Sequence, residues 1–233
     1  MCEFCGCGRT DHAHGHDSKT IEVQQDVLNH NREHASNLRN RLGEMKSHLV
    51  NIIGSPGCGK TELLAALIGR INTQRKCIVI EGDLATDNDA VRISKTGAPV
   101  RQIQTGTACH LTAHDVEHAL GHLPLEKECL VLVENVGNLV CPSMFDLGES
   151  MRIVCLSVTE GTDKPQKYPV SFREADSAVI TKSDLMPHVD FDAGACTRMI
   201  QQVKPSVPVV LTSARTGEGI EELSGSILKL YSD

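Results

Sequence analysis

The chain has 233 residues, enough for one or two domains, with the 40% hydrophobic and 23% charged shares of an ordinary globule and no apolar run approaching a membrane span. Thirty acids against 23 bases give a net charge of −7, and four Phe, two Tyr and no Trp leave little for base stacking, so neither nucleic acid nor membrane is an expected partner. Ten Cys and 11 His stand apart from this ordinary background: with no apolar leader at the start, ten thiols point to a cytoplasmic protein whose reduced cysteines serve metals or redox chemistry.

Cys2, Cys5 and Cys7 open the chain, followed by His12, His14 and His16 among glycines and with almost nothing that could join a core. Residues 1–18 are therefore expected as a flexible metal-binding tail. Three soft thiolates this close reach one ion without a fold, and they favour Ni²⁺, Cu(I) or Zn²⁺ over Mg²⁺ or Ca²⁺. Over residues 19–47, Ile21, Val23, Val27, Leu28, Leu38, Leu42 and Met45 recur at three- and four-residue intervals. That spacing predicts a helix bridging the tail to the main domain. His30 and His34 sit four apart on it and could chelate a metal, but they are read here as solvated surface residues.

From 48 to 233 short apolar runs alternate with helical stretches. The strand-like runs are Leu49–Ile53, Cys77–Ile80, Cys129–Val133, Ile153–Val158, Ala178–Ile180 and Val207–Leu211. Helices are expected over Lys60–Ile71, His110–Leu120, Phe191–Val203 and Gly219–Leu230. Such alternation defines an α/β fold, a mostly parallel sheet with helices on both faces, whose ligands bind beyond the carboxyl ends of the strands.

The first strand runs straight into Gly54-Ser55-Pro56-Gly57-Cys58-Gly59-Lys60-Thr61, the full phosphate-loop pattern of a P-loop NTPase in its strand-to-helix context. The glycines let backbone N–H groups face phosphates, Lys60 reaches the β- and γ-phosphates as a catalytic residue, and Thr61 can ligate Mg²⁺. Glu62 completes the expected nucleotide-binding set, and Cys58 fills a position that needs only a small residue. Asp83 and Asp87 follow the second strand and Glu134 ends the third. Thr61, Asp83, Asp87 and Glu134 are the candidate Mg²⁺ residues; within that set Asp83 is assigned to positioning the attacking water, with Asp87 or Glu134 holding the ion through water. Asp89 is left as a surface carboxylate.

Cys109 and His110 stand together at the expected start of a helix, and Cys141 lies seven residues beyond Glu134. Two thiolates and one imidazole suit Zn²⁺ or Ni²⁺ and are too soft for Mg²⁺. His114, His118 and His122 continue at four-residue spacing and are read as a solvated face. Cys77, Cys129, Cys155 and Cys196 fall among apolar residues and are assigned to packing. Thr181-Lys182-Ser183-Asp184 resembles the guanine-reading Asn-Lys-x-Asp motif of GTPases, with Thr181 in place of Asn. Asp184 would accept from the guanine N–H donors and Lys182 would lie along the ring. Thr212-Ser213-Ala214-Arg215 resembles the next guanine loop, a Ser-Ala-Lys pattern, so the expected ligands are GTP and GDP.

Assembled, these residues resemble the nickel-incorporation GTPases of hydrogenase maturation, the HypB family. The resemblance rests on Cys2-Glu3-Phe4-Cys5-Gly6-Cys7, the phosphate loop, Glu81-Gly82-Asp83-Leu84-Ala85-Thr86-Asp87 and Thr105-Gly106-Thr107-Ala108-Cys109-His110-Leu111. It rests most specifically on Glu134-Asn135-Val136-Gly137-Asn138-Leu139-Val140-Cys141-Pro142 and Glu160-Gly161-Thr162-Asp163-Lys164-Pro165-Gln166-Lys167-Tyr168-Pro169. It implies a slow regulatory GTPase with a SIMIBI-type G domain that dimerises with nucleotide and delivers nickel to the large subunit of a [NiFe]-hydrogenase. It also implies a high-affinity nickel site at Cys2, Cys5 and Cys7 and a weaker nickel or zinc site at Cys109, His110 and Cys141 near the dimer interface. The implied partners are a companion nickel-binding maturation protein and a peptidyl-prolyl isomerase metallochaperone. The histidine tail is shorter than in members that store nickel, which argues against storage. The alternatives are a urease-accessory nickel GTPase, which typically carries Cys-Pro-His where this chain has Ala108-Cys109-His110, and a metal-responsive binding protein with little GTP turnover.

Overall fold

A computed structural model of the chain describes residues 18–83 and 88–232. Cys2, Cys5, Cys7, the three tail histidines and Asp87 lie outside the described residues. In chain order the elements are α1 (Ser18–Glu44), β1 (His48–Gly54), α2 (Lys60–Ile71), β2 (Cys77–Asp83), α3 (Asn88–Ser94), β3 (Val100–Gln104), α4 (Ala113–Leu120) and β4 (Leu130–Glu134). There follow α5 (Cys141–Met144), β5 (Met151–Ser157), α6 (Lys164–Lys167), α7 (Pro169–Arg173), β6 (Ser177–Thr181), α8 (Ala193–Val203), β7 (Val209–Leu211) and α9 (Ile220–Leu228).

The strands form one seven-stranded sheet in the order β3-β2-β4-β1-β5-β6-β7, and every pair is parallel. The central strands β4 and β5 are buried along their whole length, which explains the apolar runs 130–133 and 153–156 within them. Alternation along each strand divides the core. Val50, Ile52, Val79, Leu132 and Ile153 pack beneath α2 and α9. On the opposite face Leu49, Ile78, Ile80, Val131 and Val133 pack beneath α1 and α4, while Ile53, Val154, Leu156 and Ile180 pack beneath α7 and α8.

The helix expected as a bridge is seated on this second face. Ala35, Leu38 and Leu42 are buried, and each Leu contributes about 1.5–3 kcal/mol of burial. Asn31, also buried, accepts from the Ala113 N–H (2.9 Å) and donates to the Asp146 carbonyl (2.7 Å). Gly148 is glycine because a Cβ there would come within 2.6 Å of the Ala35 carbonyl oxygen.

Five elements have no counterpart in the apolar pattern, and three of them, α5, α6 and α7, are helices of four or five residues, too short to show a period. β3 is an edge strand with no fully buried residue, so its Val-Arg-Gln-Ile-Gln sequence needs little hydrophobicity, and α3 is a seven-residue helix. The helix expected from His110 begins at Ala113 instead. Thr112 accepts from the Asp115 N–H and the Asp115 carboxylate accepts from the Thr112 N–H, a reciprocal cap that leaves Cys109 and His110 in the preceding loop. The last strand begins at Val209, after Pro208, which has no N–H to give a ladder.

Candidate nucleotide cleft and metal cluster

The phosphate-loop segment leaves β1 at the carboxyl edge of the sheet, and its shape is set by glycine. A Cβ on Gly54 would lie 2.6 Å from the Cys58 Sγ and 2.7 Å from the Cys155 carbonyl oxygen. Gly57 and Gly59 turn at φ 73° and 95°, the left-handed region that side chains disfavour. The loop hands over to α2, whose first residue, the buried Lys60, points its Nζ at the Gly54 and Ser55 carbonyls (3.3 and 3.4 Å). Gly54, Ser55 and Cys58 are buried behind the loop, whereas Pro56, Gly57, Gly59, Lys60, Thr61 and Glu62 line a cleft of about 420 Å³. Burial pushes the Cys58 thiol up to about 11, so it stays protonated and packs as a small apolar group.

Acidic groups close the far side of that cleft. Thr61 Oγ1 donates to Glu134 Oε1 at 3.0 Å, and Lys60 Nζ lies 3.9 Å from the same oxygen. Asp83 lines the same cleft, as does Asp89, which sequence reasoning left on the surface. Another missed residue is Glu81, buried on β2 in register with Glu134 on β4. Burial, and then the proximity of Glu134, push the Glu81 carboxyl well up, while burial raises Glu134 against the pull of Lys60. Glu134 Oε2 has no hydrogen-bond partner among the described residues. A hydroxyl and hard carboxylate oxygens at the end of a phosphate loop suit Mg²⁺.

A second cavity of about 420 Å³ adjoins the loop, lined by Gly59, Glu62, Leu63, Thr181, Lys182, Asp184, Leu185, Thr212, Ala214 and Arg215. Thr181, at the position where the guanine pattern has Asn, donates its hydroxyl to the Cys58 carbonyl and so ties this cavity to the phosphate loop. Lys182 Nζ reaches the Gly57 carbonyl at 2.7 Å. Ser213 is fully buried; its Oγ donates to Asp184 Oδ1 at 2.7 Å, orienting the carboxylate from behind.

Cys109, His110 and Cys141 converge: one ligand atom from each lies within 4.8 Å of the others, the one such Cys/His/Asp/Glu group of three or more among the described residues. Cys109 Sγ is 3.7 Å from His110 Nδ1, and the His110 ring stacks on Phe145 at 3.8 Å. Burial lowers the His110 pKa, which favours the neutral imidazole that binds metal. Cys141, at the head of α5, is buried.

A buried polar network joins the two sites. Asn135, the residue after Glu134, accepts from the Leu111 N–H at 3.0 Å, directly beyond His110. Its amide donates to Asn51 Oδ1 (3.3 Å) in the middle of β1, and Asn51 donates to Glu149 (3.3 Å). Glu149 pairs with the buried Arg152, whose guanidinium donates to the Ser143 and Phe145 carbonyls at 3.0 and 3.1 Å. Both segments that carry the candidate metal ligands therefore hang from one set of side chains beside Glu134. Gly82 on β2 belongs to the same region, because a Cβ there would come within 2.9 Å of the Leu111 side chain. The signal for this network was in the sequence: an Asn in the middle of an apolar central strand must find buried partners.

An all-parallel P-loop sheet with an acidic cleft and an adjoining Cys–His cluster defines a nucleotide-binding domain of the CobW/HypB/UreG type, whose family model matches residues 48–211. The hydrogenase maturation factor HypB of Azotobacter vinelandii is 47% identical over 205 residues, covering 88% of this chain and 68% of that protein. HypB of Escherichia coli K12 is 44% identical over 204 residues, covering 88% and 70%. Among solved structures, Helicobacter pylori HypB in complex with nickel superposes with a TM-score of 0.82 at 38% identity, covering 87% of this chain and 95% of that one. Archaeoglobus fulgidus HypB gives 0.81 at 37% identity, covering 88% and 100%. The chain belongs to the HypB family of hydrogenase maturation factors. No helix among the described residues is long and apolar enough to cross a membrane.

Proposed function

We propose that this chain is a GTP-hydrolysing nickel metallochaperone of [NiFe]-hydrogenase maturation, in which the state of the nucleotide sets the affinity of the Cys109–His110–Cys141 cluster for its cargo. The phosphate loop holds the β- and γ-phosphates on its backbone N–H groups, and Lys60 leaves the loop carbonyls to stabilise charge developing on the γ-phosphoryl oxygens. Thr61 and Glu134, with Asp87 from outside the described residues, would hold Mg²⁺, which would supply charge neutralisation on the phosphates. Asp83 accepts a hydrogen bond from the attacking water and orients it. Asp184, fixed by Ser213, accepts from the guanine N–H donors, with Lys182 along the ring and Ala214 and Arg215 closing the pocket.

Nickel is the cargo and Zn²⁺ its competitor at the cluster, while Cys2, Cys5 and Cys7 form a separate nickel site. The nucleotide-bound chain pairs as a homodimer and passes nickel toward the hydrogenase large subunit. A companion nickel-binding maturation protein and a peptidyl-prolyl isomerase metallochaperone act as partners. What carries this reading is the hydrogen bond from the Leu111 N–H to Asn135, which sets the metal-bearing loop against the strand end that carries Glu134. The test is Ni²⁺ and Zn²⁺ titration of the apo, GDP-bound and GTP-analogue-bound protein, with oligomeric state followed in parallel. Affinity at the cluster should differ at least about fivefold between the two nucleotide states, the lower end of typical coupling between sites. Equal affinities would overturn the coupling.

A further inference from the structure

We infer a further metal site between α1 and α4, formed by His30, His34 and His114 with Glu117 behind it, for a borderline divalent ion such as Ni²⁺ or Zn²⁺. It shares no residue with the Cys109–His110–Cys141 cluster and does not depend on GTP turnover. His34 is its centre. The Nδ1 of His34 lies 2.8 Å from Glu117 Oε2, and its side chain is only 23% exposed. A carboxylate accepting from Nδ1–H fixes the ring and leaves the Nε2 lone pair free, the arrangement that orients histidine ligands in metal sites.

The His30 ring centroid is 4.7 Å from that of His34, and the His114 centroid is 5.0 Å from it, both edge to face. Two imidazoles on one tetrahedral ion have centroids about 5 Å apart, given metal–nitrogen bonds of about 2 Å. His30 and His34 are one turn apart on a single helix face, a common chelating spacing. His30 and His114 are exposed, so their rings are free to rotate until their nitrogens face the same point as His34 Nε2.

The two helices are held in register at this place. Asn31, adjacent to His30, accepts from the N–H of Ala113, adjacent to His114, and Leu38 of α1 and Val116 of α4 share one buried apolar cluster. The imidazoles are thus set on locked backbones rather than gathered by chance on mobile ones. A bound ion would clamp the helix that emerges from the N-terminal cysteine segment onto the helix that begins three residues after His110.

Zn²⁺ titration of the full chain against a chromophoric chelator counts the sites, and Co²⁺ in place of zinc reports the thiolate sites by their near-ultraviolet charge-transfer absorption. His34→Ala and His114→Ala, on different helices, should each remove one equivalent of zinc while leaving the thiolate absorption and GDP binding unchanged. Glu117→Gln should keep that equivalent but weaken it about 10–100-fold. Unchanged stoichiometry in both histidine variants would overturn the site. So would loss of thiolate absorption together with the zinc equivalent, which would assign the missing ion to the cysteines.

Discussion

The nucleotide cleft and the Cys–His cluster are joined by one buried hydrogen-bond network and are built in opposite ways. The phosphate side of the cleft is one contiguous segment, Gly54 to Thr61, shaped by backbone torsions at Gly57 and Gly59 and by the strand-to-helix handover. The cluster takes its ligands from a loop and from the first residue of α5, and these segments are held by side chains: Asn135 on Leu111, and Arg152 on Ser143 and Phe145. A backbone-built site has little freedom to respond to its surroundings. A site hung from side-chain hydrogen bonds moves when any member of the network moves, which suits the proposed role of the cluster in holding and releasing a metal ion.

Removing the main charge of the backbone-built site should separate the two most sharply. Lys60→Ala should lower GTP turnover about 10²–10³-fold, measured as phosphate release, while zinc affinity at Cys109, His110 and Cys141 in the nucleotide-free protein stays at its wild-type value. If metal binding fell with turnover, the two sites would be a single structural unit. Asn135→Ala acts on the shared element. It leaves the Leu111 N–H unpaired in the core, which should cost about 1–3 kcal/mol of unfolding free energy in urea. Zinc affinity at the cluster should fall more than GDP affinity, and the difference between nucleotide states should shrink. A variant that kept both the affinity and its nucleotide dependence would show that the network does not couple the sites.

The same contrast explains what could be read from the sequence. Elements with strong periodicity, such as α2 and the central strands, and the contiguous phosphate loop declare themselves through local pattern. Edge strand β3 does not, because a strand with one sheet neighbour needs few apolar residues, and α3, at seven residues, is too short to show a period. Cys109, His110 and Cys141 were recognisable as soft ligands, but the cap at Thr112 that places the first two in a loop depends on a side-chain bond and not on periodicity. Glu81 escaped because its partnership with Glu134 is set by register between parallel strands far apart in sequence. His30, His34 and His114 looked like two unrelated solvated faces. Only the packing of α1 on α4, fixed by Asn31, brings them together.

The smallest expected effect concerns the seam between the phosphate loop and the base pocket. Under the proposed guanine reading Thr181 stands where the motif has Asn, and its hydroxyl donates to the Cys58 carbonyl, a tether from a shorter side chain. Thr181→Val nearly preserves the volume and leaves that carbonyl without its donor at a position only 4% exposed. The expected loss is about 1 kcal/mol, roughly fivefold in Kd for GDP, read by titration of a fluorescent analogue. The rate of phosphate release at saturating GTP should change little, because Lys60, Thr61 and Glu134 keep their contacts. Thr181→Asn should recover most of the affinity, since an amide can give the same carbonyl its hydrogen bond. If Thr181→Val bound GDP as tightly as the wild type, the base pocket and the phosphate loop would be held together by the sheet alone. Side-chain bonds would then set geometry only at the metal cluster.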